Sequence, residues 1–107
     1  MNIMSIRELK DKVKVKLPPI LTAHHAESLC KVLADSLSTR KSVEISAEHI
    51  QEIDTHCAQI LLASRLDCES QNIIFRISSP SKRLVNKLNV LGIELYLTQR
   101  KKAVEHR

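Results

Sequence analysis

The stretch VEISAEHIQEIDTHCAQILLAS, residues 43–64, holds a strand, a connection and the start of a helix in one line. Val43 and Ile45 alternate with Glu44 and Ser46, the period of two expected of a strand. A connection carrying Ile50 and Ile53 follows. Asp54 then opens a helix running to about Glu69. An aspartate is favoured there because its carboxylate accepts orphan backbone N–H groups and complements the helix dipole. Cys57, Leu61, Ser64 and Cys68 form one stripe of this helix, and Ala58, Leu62 and Leu66 form another beside it. Two adjoining stripes of small and apolar residues suit a helix laid flat on a sheet.

Towards the N-terminus, Val13, Val15 and Leu17 alternate with Lys12, Lys14 and Lys16, so a strand with one buried and one basic, wet face precedes. A short strand around Ile3–Ile6 can pair with it through a turn at Glu8–Asp11. Pro18 and Pro19 end the strand, because proline offers no ladder donor. Thr22 is placed as the N-cap of a helix from Ala23 to about Leu37, with Ala26, Leu29, Cys30, Leu33 and Leu37 on its apolar face. Ser38–Lys41 breaks the pattern. Towards the C-terminus, Ile73 to Ile77 reads as a buried strand. Ser79 as N-cap and Pro80 at the first helical position open a third helix, whose face is Leu84, Val85, Leu88 and Leu91. Gly92 stops it. Ile93, Leu95 and Leu97 alternate as a final strand.

This order, β-β-α-β-α-β-α-β, predicts an α/β domain. Its sheet is mainly parallel and four- or five-stranded, with an N-terminal hairpin strand and helices packed against it. Residues 1–97 form that single domain, and 98–107 a basic, frayed tail. A chain of 107 residues has room for one modest core. Phe75 and Tyr96 are its only aromatics, so the core is aliphatic. With Gly92 as the lone glycine, the chain cannot build a phosphate-cradling loop, which needs several. The net charge is +5, of which +3 lies in residues 98–107, leaving the body at +2. That distribution, with no aromatic platform for stacking bases, argues against nucleic acid as a partner. Cys30, Cys57 and Cys68 make no CxxC pair, and no apolar run approaches the roughly 20 residues of a membrane span. With no leader pattern, the expectation is a reducing cytoplasm, free buried thiols and no direct membrane insertion.

The segments LPPILTAHHAESL (17–29), the opening stretch (43–64) and FRISSPSKRLVNKLNVLGIEL (75–95) stand in the order and spacing of a STAS domain, the fold of bacterial anti-sigma factor antagonists. The chain resembles that family over roughly residues 12–97. Its Ile53-Asp54-Thr55 is similar to the family signature of an acid and a hydroxyl residue opening a helix. The combination of LPP, DT-C-QILLA and F-SPS is most similar to stand-alone STAS proteins of chemotaxis gene clusters. The resemblance breaks at His56 and Cys57, since most anti-sigma factor antagonists place a glycine two or three residues after the acid. A side chain there changes the surface offered to a kinase.

The resemblance implies a non-catalytic regulatory module of bacterial signal transduction, acting in chemotaxis or in sigma-factor partner switching. It would bind a serine/threonine or histidine kinase-like ATPase, or an anti-sigma factor, through the start of the second helix, with Thr55 phosphorylated. An alternative is the STAS subunit of a phospholipid-transport ABC complex, which also carries Asp-Thr at this place. The residues support the switch independently. A hydroxyl on a first helical turn sits beside free backbone N–H groups, and a phosphate there adds about −1.5 to −2 charge. Asp54, Thr55 and His56 are therefore the expected contact residues. Lys82 and Arg83 join them, because cations opening a helix oppose its dipole and suit an acidic partner. His24 and His25 diverge by about 100° on a helix, so they do not converge on a metal. His56 and Cys57 diverge likewise, which removes a Cys-His nucleophile, and the expected cofactor set is empty.

Overall fold

The computed structural model describes residues 3–93. In chain order its elements are β1 (Ser5–Glu8), β2 (Lys12–Lys16), β3 (Ile20–Leu21), a 3-10 turn (Ala23–His25), α1 (Ala26–Ser38), β4 (Ser42–Ser46), β5 (Glu52–Ile53), α2 (Thr55–Ser70), β6 (Phe75–Ser78) and α3 (Lys82–Leu91). The final strand expected at Ile93, Leu95 and Leu97 falls, beyond Ile93 itself, outside the described residues, as does the tail 98–107.

The alternation in β2 decides the layers. Val13 and Val15 are fully buried, while Lys16 is exposed and Lys12 and Lys14 half-buried. A hairpin brings β1 antiparallel to β2, two residues later than the Ile3–Ile6 placement. Leu9 N donates to Lys12 O at 2.8 Å to close its turn. Parallel pairing continues from β2 to β4 and from β4 to β6, giving the order β1-β2-β4-β6. The register lines up two apolar rows, Val13–Val43–Phe75 and Val15–Ile45–Ile77, all buried. This is the mainly parallel α/β arrangement expected. The two-residue strands β3 and β5 form a separate parallel pair that the period of two was too short to signal.

The helices bury the inner face of those rows. On α1 the core positions are Leu29, Leu33 and Ser36. Ser36 can be buried because its hydroxyl donates to the Val32 carbonyl at 2.8 Å. Cys30, expected in the core, is exposed. One step of about 100° from Leu29 carries it off the buried stripe, to the rim of a groove between α1 and α2 of about 270 Å³ that Ile60, Ala63, Asp67 and Cys68 also line.

On α2 the buried residues are Cys57, Ala58, Leu61, Arg65 and Cys68. Leu66, assigned to the second stripe, is 49% exposed, and Arg65 occupies the inward position instead. Arginine can take that place because its methylene stem is apolar and its guanidinium meets Glu69, with Nη2 at 2.7 Å and Nε at 3.1 Å from Oε2. Its Nη1 is buried with no hydrogen-bond partner among the described residues.

The third helix starts later than expected. Ser81, not Ser79, is its cap, accepting from Leu84 N at 3.1 Å through its hydroxyl. Ser79 instead carries the turn out of β6 at φ 47°, and Ser81 N donates to Ala47 O. Arg40 (φ 64°) and Asn72 (φ 58°) turn the chain after α1 and α2 in the same left-handed way, and Gly92 (φ 76°) ends α3 as expected.

Two measurements check this core. With a thiol reagent on the folded protein, Cys30 should label fast, and Cys57 and Cys68 slowly. Burial pushes those two thiols up to about 12 and about 11, so almost no thiolate is present at neutral pH. Arg65→Met should leave unfolding stability within about 1 kcal/mol or raise it, since it exchanges a buried cation for packed apolar atoms and leaves the half-exposed Glu69 to water. Glu69→Ala should lower stability by about 1 kcal/mol or more, because it strands the guanidinium, although Glu69 itself is half-exposed and screened. The reverse ranking in a urea titration would contradict this account of Arg65.

Candidate functional site

The start of α2 is held by backbone from the strand pair. Asp54 N donates to Leu21 O at 3.2 Å, extending the parallel β3–β5 ladder by one step. Asp54 has extended backbone (φ −93°, ψ 170°), and its Oδ1 accepts from Cys57 N at 2.9 Å. The sequence placed this cap correctly. The bond to the Cys57 amide holds the Asp54 carboxyl below the usual carboxylate range, against the opposing effect of burial. Cys57 points inward, and its Sγ donates to Thr22 O at 3.3 Å, tying the helix start to the 3-10 turn. That turn is itself braced by Thr22 N donating to His25 Nδ1 at 3.1 Å. His25 thus has a local structural part that the sequence did not signal, while His24 is exposed.

Between these anchored residues, Thr55 and His56 face outward and are exposed. The Thr55 hydroxyl makes no hydrogen bond among the described residues. With Cys57 N taken by the cap, the Thr55 and His56 N–H groups are first-turn donors without a partner in the helix. Among the described residues, the site therefore offers an unbonded hydroxyl and two unpartnered amides on a capped helix start.

The structure brings Arg83 to this region. Its Nη1 donates to the Gln51 carbonyl at 3.4 Å, three residues before Asp54. Lys82 is exposed at the start of α3, with no ion pair or hydrogen bond among the described residues. Arg83, Asn86, Lys87 and Val90 of α3 and Gln51, Glu52 and Ile53 line a shallow hollow of about 310 Å³. Val90 is 82% exposed and Ile20, beside Glu52 in the ladder, is 40% exposed. The sequence pointed to Asp54, Thr55, His56, Lys82 and Arg83 but missed Ile20, Asn86, Lys87 and Val90. The only signal for Val90 was an apolar residue off the helix stripe.

Among the described residues, no three His, Cys, Asp or Glu side chains gather closely enough to hold a metal ion. No helix among them is long and apolar enough to cross a membrane.

No protein-family model and no curated protein matches the chain. Among solved structures, it is similar to the crystal structure of a Thermotoga maritima protein assigned as an anti-sigma factor antagonist. The TM-score is 0.72 at 17% sequence identity, over 89% of this chain and 83% of that one. A likeness at that identity is one of fold. The chain has the STAS-like α/β fold, with its four-stranded, mostly parallel sheet and three helices.

Proposed function

We propose that this chain is a non-catalytic regulatory module that binds a protein partner through the start of α2 and is switched by phosphorylation of Thr55. The exposed, unbonded hydroxyl of Thr55 on the first turn of a firmly capped helix carries this reading. The partner is a kinase-like ATPase or an anti-sigma factor in a bacterial pathway of the chemotaxis or partner-switching kind, as the STAS-like sequence segments imply. The fold shared with an assigned anti-sigma factor antagonist supports the regulatory class.

The geometry supplies a mechanism. Asp54 and Cys57 fix the helix start from both sides, so a change at Thr55 leaves the backbone where it is. A phosphate there would draw on the free amides of Thr55 and His56 and the helix dipole. It would also meet the Asp54 carboxylate as a like charge. Arg83, reaching the Gln51 carbonyl, puts a cation on the same side of the domain. The outcome is a local gain of negative charge rather than refolding. At a partner's desolvated contact, such a like-charge clash costs several kcal/mol. Ile20 and Val90 beside the site give the partner apolar area around that switch.

Three variants separate a switch from a cap. Thr55→Ala should melt within about 0.5 kcal/mol of the parent, as an exposed residue that is not the cap. Thr55→Glu should weaken binding of the partner ATPase or anti-sigma factor by at least about tenfold, or 1.4 kcal/mol. If Thr55→Ala destabilises as much as loss of the cap while Thr55→Glu leaves binding untouched, Thr55 is structural and the proposal fails.

Asp54→Ala should cost about 1 kcal/mol at pH 7 as a lost N-cap. Its folded carboxyl lies below the unfolded value near 3.9, so the cap's contribution is complete above that pH. It is lost as pH falls through the folded value. The difference between parent and Asp54→Ala in urea titrations should therefore shrink below about pH 4.

A further inference from the structure

The outer face of the four-stranded sheet is a field of cations, of which only Lys12 has an ion-pair partner among the described residues. The pairing register sets Arg7, Lys14, Glu44 and Arg76 in one row across β1, β2, β4 and β6. Lys12 and Lys16 stand one step to either side of Lys14 on β2. Glu44 is the only acid in these rows. Lys12 already takes it, Nζ to Oε1 at 2.9 Å, and Lys12 and Lys14 together hold its carboxyl below the usual range. Arg7, Lys14, Lys16 and Arg76 make no ion pair among the described residues. Arg7 and Lys14 are direct cross-strand neighbours, and like charges so placed destabilise a sheet. Glu44 is one negative charge among five cations on this face, so most of their charge is left for an external anion to meet.

We infer that this outer sheet face, Arg7, Lys12, Lys14, Lys16 and Arg76, docks on an anionic lipid surface. All five cations rise from one side of a sheet. With strands about 4.8 Å apart and about 3.3 Å per residue, they cover roughly 14 by 13 Å. A flat bilayer meets every one of them, whereas a cylindrical duplex meets them along a line. The remaining side chains in these rows are the serines Ser5, Ser42, Ser46 and Ser78, and no aromatic platform for bases stands among them. Ile74 completes the footprint. It precedes β6, its carbonyl accepts from Val43 N at 2.8 Å, and it is 59% exposed between the buried Ile73 and Phe75. That places an apolar side chain at the edge of the basic face, where it can enter the headgroup boundary. The contact is peripheral, and it leaves the start of α2 to a protein partner.

The test is co-sedimentation of the full chain with phosphatidylcholine vesicles, with and without phosphatidylglycerol, at low and physiological salt. Binding should require the anionic lipid and weaken with salt, since charges more than about 10 Å apart are screened at 0.1 M. Each Lys or Arg near such a surface contributes about fivefold in affinity, so Lys14→Glu with Lys16→Glu should lose at least about tenfold. Arg7→Ser with Arg76→Ser, on two other strands, should lose about 25-fold and serves where the first pair fails to fold. Lys101→Glu with Lys102→Glu, a matched change in the C-terminal segment, should keep most of the binding. Equal binding to neutral vesicles overturns the inference. So does loss confined to the Lys101/Lys102 variant, or a DNA duplex that displaces the protein from anionic vesicles and binds it more tightly.

Discussion

Everything in this domain hangs on the register of β2 against its neighbours. Its side chains alternate strictly, so Val13 and Val15 meet Val43 and Ile45, and through them Phe75 and Ile77. The same register sends Lys12, Lys14 and Lys16 to the other face. A slip of one residue would exchange the two faces, driving three lysines into the core and two valines into water. Core and basic surface are thus one choice made once. The cost of moving lysines inward, with no counter-charge there, makes the alternative pairing far less favourable than the loss of any single apolar contact.

The α2 start depends on a smaller device of the same kind. The β3–β5 pair is two residues long, too short to be stable by itself, yet its ladder delivers Asp54 N to Leu21 O. The capping carboxylate and the inward thiol then hold the next turn, and the residues between them are left exposed by default. The rigidity of the base and the freedom of Thr55 share one cause: capping uses the residues on either side and leaves the middle of the turn unspent.

The large features could be read from the chain because they rest on periodicity and on single-residue chemistry. The β2 alternation, the Asp54 cap, the Gly92 stop and the parallel order belong to this class. What escaped depended on three-dimensional competition. Leu66 was placed on the inward stripe by its apolar character, whereas Arg65 takes that position because its stem packs and Glu69 receives its head. Cys30 looked like a core thiol because its spacing from Leu33 and Leu37 is helical, yet the buried arc is narrower than that stripe. Ser79 and Ser81 are equally good caps by composition. The choice fell to the need for a sharp turn out of β6 and to the Ala47 carbonyl that receives Ser81 N. At the candidate site, the acid, the hydroxyl and the cations Lys82 and Arg83 were legible, but the approach of α3 that adds Asn86, Lys87 and Val90 was not, because no local pattern encodes it.

The scarcity of glycine has a consequence for how this fold can change. Three of its tight reversals rest on Arg40, Asn72 and Ser79, side-chain-bearing residues in left-handed backbone. Such a conformation costs about 1 kcal/mol or more for an ordinary residue and less for asparagine. Together these positions hold back a visible part of the 5–15 kcal/mol by which a domain is normally stable. The cost falls in connections, away from the apolar rows and from the helix start. The domain thereby carries an unused reserve of stability. Relief at a single turn could offset an otherwise damaging substitution on either surface, so recognition can drift to new partners while the core stays as it is.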